Sequence, residues 1–310
     1  MILCCGEALI DMIPTPTATG QNGFVPHTGG AIFNTAIALG RLGVKAGMLT
    51  GLSQDMFGQQ LLTALQDSHV DTSHIITADR PSTLAFVKLV EGHATYSFFD
   101  ENSAGRMIGL EDMPSLHNEV STLFFGGISL VCEPCAEAYT ALLVQEADSR
   151  VIMVDPNIRE SFIIDKARYR DRLDRVIRRA DIIKVSDEDL DWIAPAPSDL
   201  DAKAHALLDK GASMVIVTRG SKGANGYLAN GIRVSVPATK AVIVDTVGAG
   251  DTFNAGVLAK LSMLGLLKKP DLTTLDAATF ETVLRYGAMV AAVTVSRAGA
   301  NPPWEAELLP

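Results

Sequence analysis

The chain has 310 residues, 47% of them hydrophobic and 20% charged, with a formal net charge of −10. That length carries one large α/β domain or two smaller ones, and the apolar content fills a sizeable core. The acidic balance and the lack of a Lys/Arg stripe exclude nucleic acid and anionic membranes as partners.

The chain opens on "MILCCGEALIDMIP". It has no basic leader, and Glu7 and Asp11 interrupt the apolar run, so it reads as a first strand and its loop rather than a signal peptide. No segment has membrane-spanning length, and a cytoplasmic location is expected. The region 12–27 is rich in Pro, Thr and Gly. "GGAIFNTAIALGRLG" predicts a helix stopped by Gly43, "KAGMLTG" a strand and "MFGQQLLTALQDSHV" a helix. "STLAFVKLVEGHATYSFFD" (82–100) predicts a hairpin around Glu91-Gly92-His93. Its outgoing run is apolar on both faces, at Leu84, Ala85, Phe86, Val87 and Leu89, and so needs cover from the main domain and from a second chain. With 12–28, the stretch 82–108 would form a small β lid, and a homodimer through that lid is expected.

Strand and helix then alternate through "TLFFGG", "EPCAEAYTALLVQEA", "VIMVDPN", "ARYRDRLDRVIRRA" and "DIIKVS". Two helical stretches follow, then the strand "SMVIVTRG" and the hairpin "GANGYLANGIRVSVPA". Only helices come after Asp251, at 252–264 and 276–296. Continuous Val/Ile runs between helices imply a buried, mostly parallel sheet in a three-layer α/β/α arrangement. One domain, 1–310, with a lid fits this rhythm better than two domains.

The four cysteines are Cys4, Cys5, Cys132 and Cys135. "CEPC" has the Cys-x-x-Cys spacing of a redox pair, but lacks the context at the start of a thioredoxin-like fold. A zinc site needs two more ligands, and adjacent Cys4 and Cys5 chelate poorly. The favoured reading is a strand end leading into a helix, with Pro134 in the first turn.

"DTVGAGDTFNAG" runs from Asp245 to Gly256 and has three readings. As a dinucleotide fingerprint it fails, because Phe253 occupies the third glycine position and "KKPDL" further on is a loop rather than a strand ending in an acid. A glycine turn before a helix is the second reading. The third is an anion hole: Gly248, Ala249 and Gly250 let a phosphate reach N–H groups at a helix N-terminus. A carboxylate placed there repels phosphate unless it takes a proton from an attacking hydroxyl, which makes Asp251 a general base. The helix N-terminus is expected to keep it ionised. Gly-x-x-x-x-Gly-Lys-[Ser/Thr], His-Arg-Asp, Asp-Phe-Gly, His-Glu-x-x-His and Gly-x-Ser-x-Gly are all missing from the sequence.

These residues resemble a known family. "DTVGAGDTF" is similar to the C-terminal signature of the PfkB, or ribokinase-like, sugar kinases. "GEALIDMIP", "GGAIFNTAIALGRLG", "DPNIR", "KVSDEDL" and "VTRGSKGA" match that family in order along essentially the whole chain. "ALIDMIP", "YSFFDENSAGRM" and "VSDEDL" look most like bacterial fructokinases. The resemblance implies a ribokinase-like fold, ATP with Mg2+, and a monovalent cation such as K+. Sugar and ATP are the implied partners, bound between the sheet edge and the lid.

Residue by residue, the resemblance makes Asp11 a sugar-hydroxyl acceptor, and Gly30 and Asn34 sugar contacts. Standing alone, Asp11 reads as a solvated loop acid and Asn34 as a helix-surface amide. Phe98 is either a lid ring over the sugar or ordinary core. Arg159 follows a strand end, where it meets sugar or transferring phosphate, or else pairs with Glu160 or Asp155. Lys184, inside an apolar strand, is assigned to ATP phosphates, against a snorkelling lysine. Where the family reads Asn-x-x-Glu, this chain has Ser186 and Asp189, so either Glu188 or Asp189 organises Mg2+ through water. Thr218, Arg219, Gly220, Ser221, Lys222 and Gly223 resemble the nucleotide loop, or form a hairpin entry turn. "VTVSRAGANPP" resembles the monovalent-cation loop, with Asp245, Val247, Arg297 and Gly299 around it; Pro303 departs from the family at its last ligand position. Fructose is the expected sugar, with 2-keto-3-deoxygluconate, ribose or aminoimidazole riboside as in-family alternatives. A non-catalytic sugar or nucleoside sensor is the rival from another class.

Overall fold

The computed structural model describes residues 1–90, 93–196 and 199–308, without the side chains of 22, 88–90 and 93–96. The first half comprises β1 (Ile2–Cys5), β2 (Leu9–Pro16), β3 (Asn22–Gly29), α1 (Ala31–Arg41), β4 (Ala46–Ser53), α2 (Met56–Asp67), β5 (Ile75–Ala78), β6 (Leu84–Val90), β7 (His93–Phe99) and β8 (Thr122–Gly126). Next come α3 (Cys135–Glu146), β9 (Val151–Asp155), α4 (Lys166–Ile177), β10 (Ile182–Ser186), α5 (Asp187–Ile193), α6 (Leu200–Leu208) and β11 (Met214–Thr218). The chain ends with β12 (Ala224–Leu228), β13 (Arg233–Val236), α7 (Ala249–Met263), α8 (Lys269–Thr273) and α9 (Ala277–Val295).

Nine strands form the main sheet in the order β13-β12-β11-β10-β9-β8-β1-β4-β5. Only the pairs β11–β12 and β12–β13 are antiparallel. Period-two alternation along β1 divides its side chains between two cores. Ile2 and Cys4 join α1, α7 and α9 through Phe33, Leu258 and Phe280 on one face. Leu3 and Cys5 join α3 and α4 through Tyr139 and Leu173 on the other. Adjacent Cys4 and Cys5 therefore point to opposite faces, both fully buried, and cannot share a metal. Helices on both faces of a mostly parallel sheet complete the three-layer α/β/α architecture.

A second sheet has the order β3-β2-β6-β7. β2 pairs with β3 from Leu9↔Gly29 to Pro16↔Asn22, and runs parallel to β6. Pro26 is tolerated because β3 is an edge strand, where a missing N–H breaks no ladder. The hairpin 82–100 forms as β6 and β7, and its turn residues Glu91 and Gly92 lie outside the described residues, as does the side chain of Leu89.

The boundaries differ from expectation in four places. The lid sheet starts at Leu9 rather than 12, and the stretch after Phe99 leaves it instead of continuing to 108. β5 is an edge strand that the sequence did not announce. "KKPDL" is no loop: Pro270 opens the short helix α8, because its missing N–H is harmless in a first turn. α7 begins at Ala249, so Asp251 lies inside its first turn.

The Cys-x-x-Cys segment lacks the lowered thiol pKa of a reactive pair. Both thiols are free, and Pro134 stands at the start of α3. Burial pushes the Cys135 thiol up to about 12 and raises Cys132 too, whereas a reactive cysteine needs a lowered value.

Candidate active site

The parallel strands β1, β8, β9 and β10 all end on one edge of the sheet, the edge where α/β folds bind ligands. Above it the lid sheet closes a cleft of about 680 Å³ lined by Glu7, Asp11, Gly30, Asn34, Phe98, Gly127, Arg159, Lys184 and residues 245–251. A second cavity of about 360 Å³ adjoins it, lined by Ser186, Glu188, Asp189, Trp192 and Thr218. Asn157, Arg159, Lys184 and Gly250 line both and so mark the boundary between them.

Asp251 lines the larger cavity, next to the shared residue Gly250. It is 8% exposed, and its Oδ2 accepts a hydrogen bond from Asn34 Nδ2 at 2.9 Å. Thr35 Oγ1 donates to its backbone carbonyl at 3.0 Å, fastening α1 to α7. Burial raises the Asp251 carboxyl to about 7, with the nearby charge of Asp155 adding to the rise; Asn34, Lys184 and Arg159 oppose it. The helix N-terminus therefore does not hold Asp251 strongly ionised: desolvation outweighs it, and the carboxyl titrates near neutrality.

Gly248 adopts φ +77° with no side-chain cap, and a Cβ there would meet Ala300 at 2.6 Å. Gly250 has no such conformational need; a Cβ on it would approach Lys184 Nζ at 3.2 Å. One glycine makes the turn and the other keeps space beside a cation. Both line the cleft with Ala249 and Asp251, so the first turn of α7 meets the cleft with no side-chain cap on its N–H groups.

Lys184 is no snorkelling lysine. It is 5% exposed, and its Nζ lies 2.8 Å from Asp155 Oδ2. Burial alone would lower its pKa, but Asp155, with Asp189 and Asp251 behind it, holds the ammonium above its ordinary value. Arg159 pairs with neither Glu160 nor Asp155; it donates to the carbonyls of Asn157 and Ile158 and faces both cavities. Glu160 is engaged by Lys166 instead.

Asp11 is no solvated loop acid: β2 places it in the cleft, and burial raises its carboxyl to about 6. Phe98, also in the cleft wall, meets Phe162 edge-on with ring centroids 4.1 Å apart. Gly30, at φ +109°, caps α1 without a side chain.

The acidic pair Glu188 and Asp189 separates clearly. Asp189 accepts N–H groups from Ile158 at 3.0 Å and Ser186 at 3.2 Å, while the Ser186 hydroxyl accepts from Asp189 N. Ser186 and Asp189 thus form a capping box for α5 and tie down the loop leading to Arg159. Glu188 remains exposed in the second cavity. No cluster of three His, Cys, Asp or Glu side chains that could hold a metal ion occurs among the described residues.

Of the 218–223 loop, Thr218 lines the second cavity. Gly220, Ser221 and Lys222 form an exposed turn after Arg219, and Gly223 is required where the backbone passes Val236. At the other end, Asp245 Oδ1 accepts from Val247 N at 3.0 Å and Oδ2 from Gly299 N at 2.9 Å, which closes the expected cation loop. Arg297 is engaged in an ion pair with Glu307.

Sequence reasoning passed over Glu7, Asp155 and Asn254. Glu7 Oε1 accepts from Ala31 N at 3.2 Å, and Oε2 accepts from Ser129 Oγ at 2.8 Å. Its only signal was its place in "GEALID".

A lid-covered cleft at the sheet edge, an uncapped helix turn and a buried carboxylate in the cleft wall fit a carbohydrate kinase, a phosphotransferase with an alcohol acceptor. Residues 1–307 match the pfkB family carbohydrate kinases, and the chain belongs to that family. It is 53% identical to a fructokinase of Rhizobium leguminosarum bv. trifolii over 93% of this chain and 86% of that protein. The crystal structure of fructokinase with bound ATP from Xylella fastidiosa superposes with a TM-score of 0.89 at 26% identity, covering 99% of this chain and 97% of that one. Fructokinase from Vibrio cholerae O395, in its fructose, ADP and calcium ion bound form, gives a TM-score of 0.83 at 25% identity over 96% and 94%.

Proposed function

We propose that this chain is an ATP-dependent fructokinase, producing fructose 6-phosphate and ADP, in one ribokinase-like domain with the four-stranded sheet as its lid. The observation that carries the reading is the buried Asp251 carboxylate, raised by burial to about 7, in the wall of the larger cavity beside Gly250, which lines both cavities. Fructose occupies the larger cavity, with Asp11, Gly30, Asn34 and Phe98 around it. ATP reaches the boundary from the smaller cavity, past Thr218. Asp251 takes the proton of the attacking hydroxyl, and Asn34 orients its carboxylate. The first turn of α7, Lys184 and Arg159 face the charge that develops on the transferring phosphoryl group. Mg2+, held through water by Glu188, would offset phosphate charge. K+ would sit among backbone carbonyls near Asp245 and Gly299.

The lid also supports a homodimer. Phe24 and Phe99 are 45% and 58% exposed, and both stack edge-on against Phe86. Sedimentation at micromolar protein is expected to give a dimer, and a monomer alone would remove this part. No helix among the described residues is long and apolar enough to cross a membrane. Four unpaired cysteines support a cytoplasmic location.

A coupled ADP-release assay over a panel of sugars tests the substrate. Fructose is expected to give a kcat/KM above ribose and 2-keto-3-deoxygluconate. A higher value for ribose would reassign the sugar, and sugar binding without any ADP release would favour a non-catalytic sensor.

A further inference from the structure

Asp155 ends β9 and is 2% exposed. Its Oδ2 accepts from Lys184 Nζ at 2.8 Å and from Asn254 Nδ2 at 2.7 Å, and its Oδ1 accepts from Asn157 N at 3.2 Å. Lys184 belongs to β10, Asn254 lies on α7 three residues beyond Asp251, and Asn157 begins the loop to Arg159. One carboxylate thus joins three elements that carry site residues. Asn254 is 1% exposed and its Oδ1 has no partner among the described residues, so the amide is oriented by Asp155 alone. Gly126, at the end of β8, has to be glycine because a Cβ would collide with the Asp155 carbonyl.

We propose that Asp155 is a positioning residue for phosphoryl transfer: it holds the Lys184 ammonium at the boundary of the two cavities, and Asn254 locks its carboxylate in place. The proposal rests on the kinase reading above. An ammonium on a four-carbon stem has many rotamers, and burying it without an anion is costly. Asp155 removes both problems and takes one of three N–H groups, leaving two for phosphate oxygens. The charged groups facing Lys184 are Asp155 from β9, Asp189 from α5, Asp251 from α7 and Arg159 from the loop after β9.

The test compares Asp155→Asn, Lys184→Met and the double variant with the wild-type chain, using fructose and ATP. Asp155→Asn is expected to lower kcat about 100-fold, the scale of a slightly misplaced catalytic group. Fructose binding by calorimetry stays unchanged, and the alkaline limb of kcat moves to lower pH because the ammonium has lost its anion. A kcat loss with that limb unmoved assigns Asp155 a purely structural role and overturns the proposal, as does a wild-type kcat. The double variant leaves no unpaired buried charge, so it remains informative even where Asp155→Asn does not fold. Its kcat is expected to equal that of Lys184→Met alone; a further tenfold drop or more shows that Asp155 does not act through Lys184. A wild-type chain that turns over no sugar with ATP would instead sink the kinase reading.

Discussion

Two helices, α1 and α7, start at the same cleft with the same device: a glycine at positive φ and no side-chain cap, Gly30 at +109° and Gly248 at +77°. They differ in what meets their first N–H groups. Glu7 reaches the start of α1 from the loop after β1 and accepts from Ala31 N. Among the described residues, no side chain caps the first turn of α7. A helix N-terminus favours negative charge wherever it comes from. α1 receives that charge from the protein and becomes a fixed wall carrying Asn34, whereas α7, which carries Asp251, is proposed to receive it from a substrate. Asn34 then joins the two by donating to Asp251.

The strongest way to break the comparison is to remove the base from the open helix. Asp251→Asn keeps the size and should lower kcat by about 10²–10⁴, the usual worth of general-base help. Fructose and ATP binding by calorimetry should change little, because the loss lies in the transition state. In the wild type, kcat should fall as pH drops through about 7, where the buried carboxyl takes up its proton. Stability runs the other way. The folded value lies above the ordinary 3.8, so the contribution of Asp251 to stability is complete below that pH and is lost as pH rises through about 7. Asp251→Asn should therefore melt at or above the wild-type temperature at pH 8, and the difference should shrink toward pH 4. A variant that keeps kcat within about fivefold removes Asp251 from the base role.

Filling the open turn is the next test. Gly250→Val sets a branched side chain against Lys184 and over the N–H groups of α7. Gly250 lacks the positive φ of Gly248, so the chain should fold, and the loss should be steric and electrostatic. A kcat loss of about 10²–10³ is the scale of one lost oxyanion donor. A near-wild-type kcat would leave the glycines a structural role only.

The sequence displayed the open helix far better than the closed one. An anion hole has to be written in adjacent residues, since it is made of consecutive N–H groups, so "GAGD" announced itself. The parallel sheet was equally visible, because strands buried on both faces read as unbroken Val/Ile runs. What stayed hidden depends on residues far apart in the chain. Glu7 meets Ala31 and Ser129, and Asp155 meets Lys184 and Asn254, only after the sheet brings their strand ends together. Desolvation is equally nonlocal: the first turn of a helix suggested a low pKa for Asp251, and burial reversed it. The sequence left Glu188 and Asp189 open as the acid that organises Mg2+, and it did not show that the Asp189 oxygens accept two backbone N–H groups, from Ile158 and Ser186.

The smallest effect belongs to the closed helix and sharpens the contrast. Glu7 is partly buried, and its carboxylate accepts three hydrogen bonds, from Ala31 N, Ser129 N and Ser129 Oγ. Glu7→Gln keeps the shape, but one of its two ends becomes a donor and must oppose an N–H group. Leaving a buried donor unmatched costs about 1–3 kcal/mol, so the melting temperature should fall by several degrees. α1 then loses its fixed start, and Asn34 rides on α1. Turnover should drop with stability, by about tenfold, the scale of roughly 1.4 kcal/mol. Asp251→Asn separates activity from stability, whereas Glu7→Gln should move them together. If Glu7→Gln lowered kcat as deeply as Asp251→Asn while melting like the wild type, Glu7 would belong to the chemistry, and the two helix starts would not differ in the way described.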